Sequence, residues 1–178
     1  MAILKYILIF FIAILTLGCS KGDGSDCFTS VGDIITDERV FDTQFTSIIL
    51  EDNATLTIKQ DSVYSAYVTG GNKLIESYIT QVEGNALVIS NNTNCEFIRD
   101  LNTPYEVTVT MPELDSILFN GYGNIYSDGI FEVDTFRLVT TNGVGNIFLN
   151  MNGTRIELVQ QTGAGNVSMT GTVDYTYV

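Results

Sequence analysis

Gly121-Tyr-Gly-Asn-Ile125, Gly143-Val-Gly-Asn-Ile147 and Gly163-Ala-Gly-Asn-Val167 are three copies of one short phrase, and they decide the fold. The copies begin 22 and then 20 residues apart, and β-branched and other apolar residues precede and follow each of them. A repeat of this length indicates a chain that stacks equivalent turns, because one turn alone cannot bury its apolar face. The sequence therefore predicts an all-β structure in which the copies pair in parallel.

Apolar residues recur at fixed distances from the first glycine of each copy. Stacked turns would place these residues in columns that form a continuous interior. We expect columns at seven and four residues before that glycine and four residues after it: Leu114, Phe136 and Ile156; Ile117, Val139 and Val159; and Ile125, Ile147 and Val167.

The Gly-x-Gly-Asn phrase is predicted to be a corner between two strands. Glycine permits positive φ or the close approach of another backbone, and asparagine tolerates left-handed geometry while hydrogen-bonding locally. A phosphate-binding loop is disfavoured because no helix pattern and no Lys-Ser/Thr pair follow the glycines, and a calcium-binding repeat would need aspartates in the phrase. The expected corner residues, with the asparagines forming a ladder, are Gly121, Gly123, Asn124, Gly143, Gly145, Asn146, Gly163, Gly165 and Asn166.

With the lead-in Pro112-Glu-Leu-Asp-Ser-Ile117, these repeats resemble the head GIN domain family of bacterial proteins, which are also called auto-transporter adhesins. The resemblance covers roughly Val40 to Val178. It implies a right-handed parallel β-helix (a solenoid) with a less regular β-rich N-terminal section, and it implies little about activity. Family members usually carry further turns, so this chain is expected to be either a short member or a fragment.

The first 18 residues are predicted to be a lipoprotein signal peptide, with Lys5 as the only charge and an apolar centre at residues 6–15. That centre is shorter than the ~20 apolar residues of a membrane span. Gly18 before Cys19 looks like the cleavage site of bacterial lipoproteins, whose cysteine becomes the lipidated N-terminus; a simple secretory signal is the alternative. Residues 19–30 would then be the lipidated cysteine and a flexible tether.

Three cysteines are an awkward number for an exported protein. If Cys19 carries lipid, Cys27 and Cys95 remain as a pair, and we expect a disulfide between them in an oxidising compartment. A bridge over a loop of that length would contribute about 4 kcal/mol in the chain-entropy model. A catalytic thiol or a metal pair is the alternative, and the sequence holds no histidine to partner either.

Residues 31–112 are predicted to be an irregular β-rich part, continuous with the β-helix repeats at 113–178 as one domain. Asn72 is expected to cap one or two helical turns over 72–77, and residues 78–90 to form a hairpin. Alternation or β-branched enrichment predicts further strands at Phe45–Leu50, Ala54–Gln60, Ser62–Val68 and Tyr105–Met111.

The chain is strongly acidic, with a formal net charge of −13, or −14 once Lys5 is removed with the signal peptide. Nucleic-acid partners and electrostatic binding to anionic lipid are therefore disfavoured. We expect membrane contact through the lipid anchor alone. The predicted location is the cell envelope after export, at the periplasmic or surface face of the outer membrane.

Two classes of function follow from these features. The favoured one is a non-catalytic module for adhesion, scaffolding or contact with a polysaccharide or a surface protein, with Tyr122, Tyr126 and Phe148 as the candidate contact residues. The alternative for Tyr126 and Phe148 is that they fill a groove or pack in the core.

The other class is a carbohydrate-active enzyme, a polysaccharide lyase or hydrolase, on a β-helix. Such an enzyme needs paired carboxylates or a base on one exposed face. Asp115, Arg137 and Glu157 share one column in the glycine alignment, and a charge ladder explains them more simply than catalysis does. No catalytic residues, cofactor or metal site are predicted.

Overall fold

The fold consists of strands in which inward and outward residues alternate. This computed structural model describes residues 30–93 and 105–178; the signal peptide, Cys19, Cys27 and Cys95 lie outside the described residues. In the parts of the chain that the structure describes, no helix is long and apolar enough to cross a membrane. The strands are β1 (Ile34–Val40), β2 (Ser47–Asp52), β3 (Thr55–Gln60), β4 (Ser65–Gly71), β5 (Tyr78–Glu83), β6 (Ala86–Asn91), β7 (Glu106–Met111), β8 (Ser116–Gly121), β9 (Ile125–Asp128), β10 (Phe131–Thr140), β11 (Gly143–Val144), β12 (Ile147–Gln160), β13 (Gly163–Ala164), β14 (Val167–Thr170) and β15 (Val173–Tyr177).

Thirteen of these strands form one mixed sheet that curls nearly closed, like a barrel, around an apolar interior. The sheet has two walls. Wall 1 runs β1-β4-β7-β3-β9-β12-β14, and wall 2 runs β5-β6-β2-β8-β10-β12-β15. The long strand β12 contributes its first part to wall 1 and its second part to wall 2, while β11 and β13 form a small separate sheet. The all-β prediction is confirmed.

The chain passes repeatedly from wall 2 to wall 1, and each passage makes a layer that pairs in parallel with the next layer. Layer β2–β3 lies directly on layer β8–β9, since Ser47 pairs with Ser116 and Leu56 with Ile125. Layer β6–β7 lies on its other side. β2 and β3 thus form a layer equivalent to the glycine-bearing copies, which was not predicted from the sequence.

The glycine-bearing copies stack through parallel pairs in both walls. Ile147 pairs with Ile125 on one side and with Val167 on the other, so this predicted column is confirmed. The column predicted for Ile117 was wrong, because Ile117 pairs with Leu138 and not with Val139. Paired residues before the corner are 21 residues apart in sequence, whereas those after it are 22 apart. The layer of β10 and β12 therefore holds one extra residue near Thr141.

The inward residues of both walls form the core. Its largest fully buried side chains include four phenylalanines, and burying each of these stabilises the fold by about 1.5–3 kcal/mol. These four are Phe45, Phe119, Phe131 and Phe136.

Antiparallel elements flank the stack at the β1 and β5 edges. The predicted hairpin is confirmed as β5–β6, and Gly84, with φ 62°, stands at the first central position of its turn. The predicted helical turns shorten to a 3₁₀ helix at Ile75–Ser77 that follows Leu74. Asn72 does not cap it, because β4 continues to Gly71 and the Asn72 amide donates to the Asp33 carbonyl at 2.8 Å.

Alanine at Gly145 should destabilise the fold far more than alanine at Gly129. Both glycines have positive φ, which alone costs an alanine about 1–2 kcal/mol. A Cβ on Gly145 would also lie 1.7 Å from the Gly123 carbonyl oxygen, whereas a Cβ on Gly129 would meet nothing within 4 Å. We expect Gly145→Ala to cost about 1–3 kcal/mol more than Gly129→Ala in urea unfolding; equal losses would contradict close backbone stacking at the corner.

Candidate contact face

The outward side chains of wall 1 form a surface of hydroxyl, amide and aromatic groups, which we call the contact face. Its central row crosses six strands, and at about 4.8 Å per strand it is about 24 Å long. Alternate residues on the same strands point inward and are buried, as Leu56 and Ile58 are on β3. The row consists of Tyr67, Thr108, Thr57, Tyr126, Phe148 and Ser168.

Tyr126 and Phe148 stack on each other within this row. Their ring centroids are 5.6 Å apart and their planes differ by 9°. Phe148 is 44% exposed and Tyr126 is half-buried, so neither packs in the core. Each ring therefore covers one face of the other.

The third aromatic side chain of the row, Tyr67, is tied to the neighbouring strand β1. Its hydroxyl donates to Glu38 Oε1 at 2.9 Å. This hydrogen bond, together with the negative charge of Glu38, raises the pKa of Tyr67 above its usual 10.0. The neutral phenol is therefore the form that this face presents.

Hydroxyl and carboxylate groups flank the central row on the side where β3 and β7 begin. Thr36 and Thr69 are joined by a 2.8 Å bond between their Oγ1 atoms. Glu106 pairs with Thr69 on one side and with Thr55 on the other. The aromatic rings of the row are therefore flanked by polar groups.

The corner asparagines form a hydrogen-bonded ladder beside this face. Asn146 N donates to Asn124 Oδ1 at 2.9 Å, and Asn166 Nδ2 donates to Asn146 Oδ1 at 3.3 Å. A second ladder joins Asn142 to Asn120 at 3.2 Å and Thr162 to Asn142 at 3.0 Å. The amides thus serve first to hold successive corners together.

Tyr122 stands apart from the other two predicted contact residues. It bridges to Val144, which pairs with Ala164, so these three side chains line a separate strip along the corner. Tyr122 is 62% exposed and Val144 is 43% exposed. The structure therefore brings Tyr126 and Phe148 together and places Tyr122 on the adjacent strip.

The predicted column of Asp115, Arg137 and Glu157 exists only in part. Arg137 pairs with Glu157, and its Nε lies 3.6 Å from Glu157 Oε1. Asp115 is out of this register because Arg137 pairs with Ser116. The carboxylate of Asp115 instead accepts a hydrogen bond from the Thr46 hydroxyl. The extra residue near Thr141 is the reason, since it shifts the alignment by one position.

Two observations concern metal binding and hydrolysis by the residues that the structure describes. No group of three or more histidine, cysteine, aspartate or glutamate side chains among them could hold a metal ion. A cavity of about 370 Å³ is lined by apolar groups such as Leu138 and Leu158 and by Thr140, Gln160 and Asn166, with no aspartate or glutamate side chain among its described lining residues. Glycoside hydrolysis by a carboxylate pair therefore has no support in this cavity.

The sequence analysis missed Tyr67, Thr57 and Thr108 as members of the row. The two threonines lie in the alternating stretches Thr55-Leu-Thr-Ile58 and Glu106-Val-Thr-Val-Thr110. Such alternation indicates that one side of each strand points outward. The alternation alone does not say which strands are neighbours. Register was needed, and the repeats supplied it only for residues after 113.

Comparison with known proteins identifies relatives of this chain. Residues 44–178 match the family model described as "Putative auto-transporter adhesin, head GIN domain". No match was found among curated proteins.

Two solved structures from Parabacteroides distasonis have similar folds. One, a putative adhesin, has a TM-score of 0.64 and 15% identity, covering 80% of this chain and 67% of its own. The other, a putative lipid binding protein, has a TM-score of 0.54 and 20% identity, covering 82% of this chain and 69% of its own. At these identities the likeness concerns the fold alone.

Tyr67 should titrate above its ordinary pKa of 10.0, and Glu38→Gln should return it toward that value. The contribution of this hydrogen bond to stability is present below pH 10 and is lost as the pH rises through the raised pKa of the folded state. The difference in phenolate absorbance between the wild type and Tyr67→Phe, followed with pH, isolates this side chain. An unchanged titration in Glu38→Gln would show that Glu38 is not the cause.

Breaking the Arg137–Glu157 pair should have little effect on stability. Both side chains are substantially exposed, at 54% and 35%, and exposed ion pairs contribute about 0–1 kcal/mol. We expect Glu157→Gln to change the free energy of unfolding by less than about 1 kcal/mol. A loss of several kcal/mol in thermal or urea unfolding would assign the pair a larger role.

Proposed function

This protein belongs to the head GIN domain family, and from that premise we propose that it is a non-catalytic contact module, held at the bacterial cell envelope, that binds an extended polymer. The polymer is a polysaccharide or a surface protein.

The contact face is the observation that carries this proposal. Tyr126 and Phe148 sit in an outward row about 24 Å long, among threonine and serine hydroxyls. Aromatic rings set among small polar groups suit adaptable binding, because they offer large contact area at low entropic cost. The outer surface of a sheet suits an extended partner better than a small ligand, which would need a concave site.

The architecture proposed to present this face is a right-handed parallel β-helix. The parallel registers that connect successive layers support it, as do the corner hydrogen bonds from Gly123 N to the Val144 carbonyl at 3.0 Å and from Gly145 N to the Ala164 carbonyl at 3.2 Å. In such a solenoid each layer contacts only its neighbours, and its outer surface can be long and continuous.

Attachment to the envelope is proposed to occur through a lipid on Cys19, with Cys27 and Cys95 joined by a disulfide. The small residue Gly18 before Cys19 and the apolar segment preceding it support export and lipidation. The strong negative charge of the chain supports a role for the lipid in holding it at the outer membrane, because anionic head groups would repel the protein itself.

The binding experiment uses the full chain in detergent, applied to a glycan array and to immobilised collagen and mucin. We expect retention on at least one of these probes, and a loss of at least tenfold in apparent affinity for the double variant Tyr126→Ala and Phe148→Ala. The matched control is Ile130→Ala, since Ile130 is also an exposed apolar side chain, at 53%, but lies between β9 and β10.

Retention that is equal in the double variant and in the control would contradict the proposed face. Shortening of a polysaccharide by the purified protein, detected as new reducing ends or unsaturated products, would instead support the enzymatic alternative. Membrane release of Cys19→Ser, together with loss of incorporated palmitate, tests the anchor separately from the face.

A further inference from the structure

The outward surface of wall 2 carries a continuous row of aliphatic side chains. The row follows directly from the strand registers, in which Ile49 pairs with Val88 and Leu118, Val139 pairs with Leu118, and Val159 pairs with Val139. It therefore crosses five adjacent parallel strands, β6, β2, β8, β10 and β12. We call it the aliphatic row: Val88, Ile49, Leu118, Val139 and Val159.

These side chains point away from the core. Their neighbours along the strands, such as Ile48, Ile117 and Leu138, are fully buried, whereas every member of the row remains partly exposed. Several partly exposed apolar residues, such as Leu158 and Val173, pack against the core, but no member of the aliphatic row does so. Their apolar character is therefore not required to fill the interior.

The row itself carries no charge, although the chain as a whole carries −13 and charged side chains lie on both sides of the row. One flanking row begins at Glu83, runs through Ala86, Ser47 and Ser116, and ends in Arg137 and Glu157, whose opposite charges lie 3.6 Å apart. On the other side Glu51 pairs with Asn120. An uncharged apolar strip bordered by polar and charged groups has the composition of an interface centre and its rim.

We propose that two copies of this protein associate by packing wall 2 against wall 2, with a two-fold axis passing near Leu118. Leu118 is the middle member of the row, so a two-fold axis there places the row of one copy along the row of the other, as a self-complementary interface requires. Other surfaces of so acidic a chain would repel a second copy. The row itself carries no charge, so this repulsion is weakest where the apolar side chains meet.

The size of the strip sets the strength of this association. Five strands at about 4.8 Å, over about five residues of each strand, give about 400 Å² per copy and about 800 Å² in total. That total is below the roughly 1,200–2,000 Å² of stable specific interfaces and in the range of transient ones, so the dimer is weak and depends on concentration.

The first test is sedimentation equilibrium of the full chain in detergent over a wide concentration range. We expect a reversible monomer–dimer equilibrium whose dissociation constant rises at least tenfold in Leu118→Glu. The matched control is Thr57→Glu, which places the same charge on an outward position of wall 1 and should leave the equilibrium unchanged. Thermal unfolding of both variants verifies that they are folded, since both positions face outward.

A second measurement identifies the surface directly. p-Benzoylphenylalanine replacing Val139 in the full chain should give a dimer-sized adduct on irradiation, and the same group replacing Thr57 should not. A monomer at every concentration, a dimer unaffected by Leu118→Glu, or an adduct from position 139 to another part of the same chain would each overturn the proposal.

Discussion

The close approach of backbone to backbone at the glycine corners is the constraint on which the rest of the structure depends. A Cβ at Gly145 would lie 1.7 Å from the Gly123 carbonyl oxygen, and a Cβ at Gly165 would lie 1.8 Å from that of Gly145. A side chain at either of these two glycines would therefore clash with the backbone of the preceding corner. With the corners in contact, the strands on both sides of each corner are fixed in parallel register.

Register in turn decides which residues meet on the outside. Inside, the alternation of strand residues produces a uniform apolar core, with Ile125 and Ile147 in one column. Outside, the two walls differ: wall 1 presents hydroxyls, amides and stacked rings, whereas wall 2 presents the aliphatic row. Packing of the core does not require this difference, so the two outward surfaces are where we assign contact with a polymer and with a second copy.

The sequence predicted the parts of the fold that repeat in an obvious way. The all-β class, the corners and the stacking of Ile125, Ile147 and Val167 follow from the spacing of the glycine phrase. The layer of β2 and β3 was missed because its corner lacks that phrase. Asp52 stands where Gly121 stands in the next layer and adopts φ 60°, a conformation that aspartate tolerates better than most residues.

The outward rows were harder to predict than the core. Alternation identifies the outward side of a strand, but a row exists only once the neighbours and their register are known. One extra residue near Thr141 was enough to place Ile117 in the column of Val139 and to join Asp115 to a ladder to which it does not belong. For the same reason Tyr67 and Thr108 could not be connected with Tyr126 before the sheet order was known.

The most direct test of the account is NMR detection of scalar couplings across the hydrogen bonds that join successive corners. The account predicts couplings from the Leu56 amide to the Asn124 carbonyl, from Ile125 to Asn146 and from Ile147 to Asn166, where the donor–acceptor distances are 2.9, 2.9 and 2.8 Å. Couplings displaced by one or more residues, or couplings of these amides to other carbonyls, would contradict it.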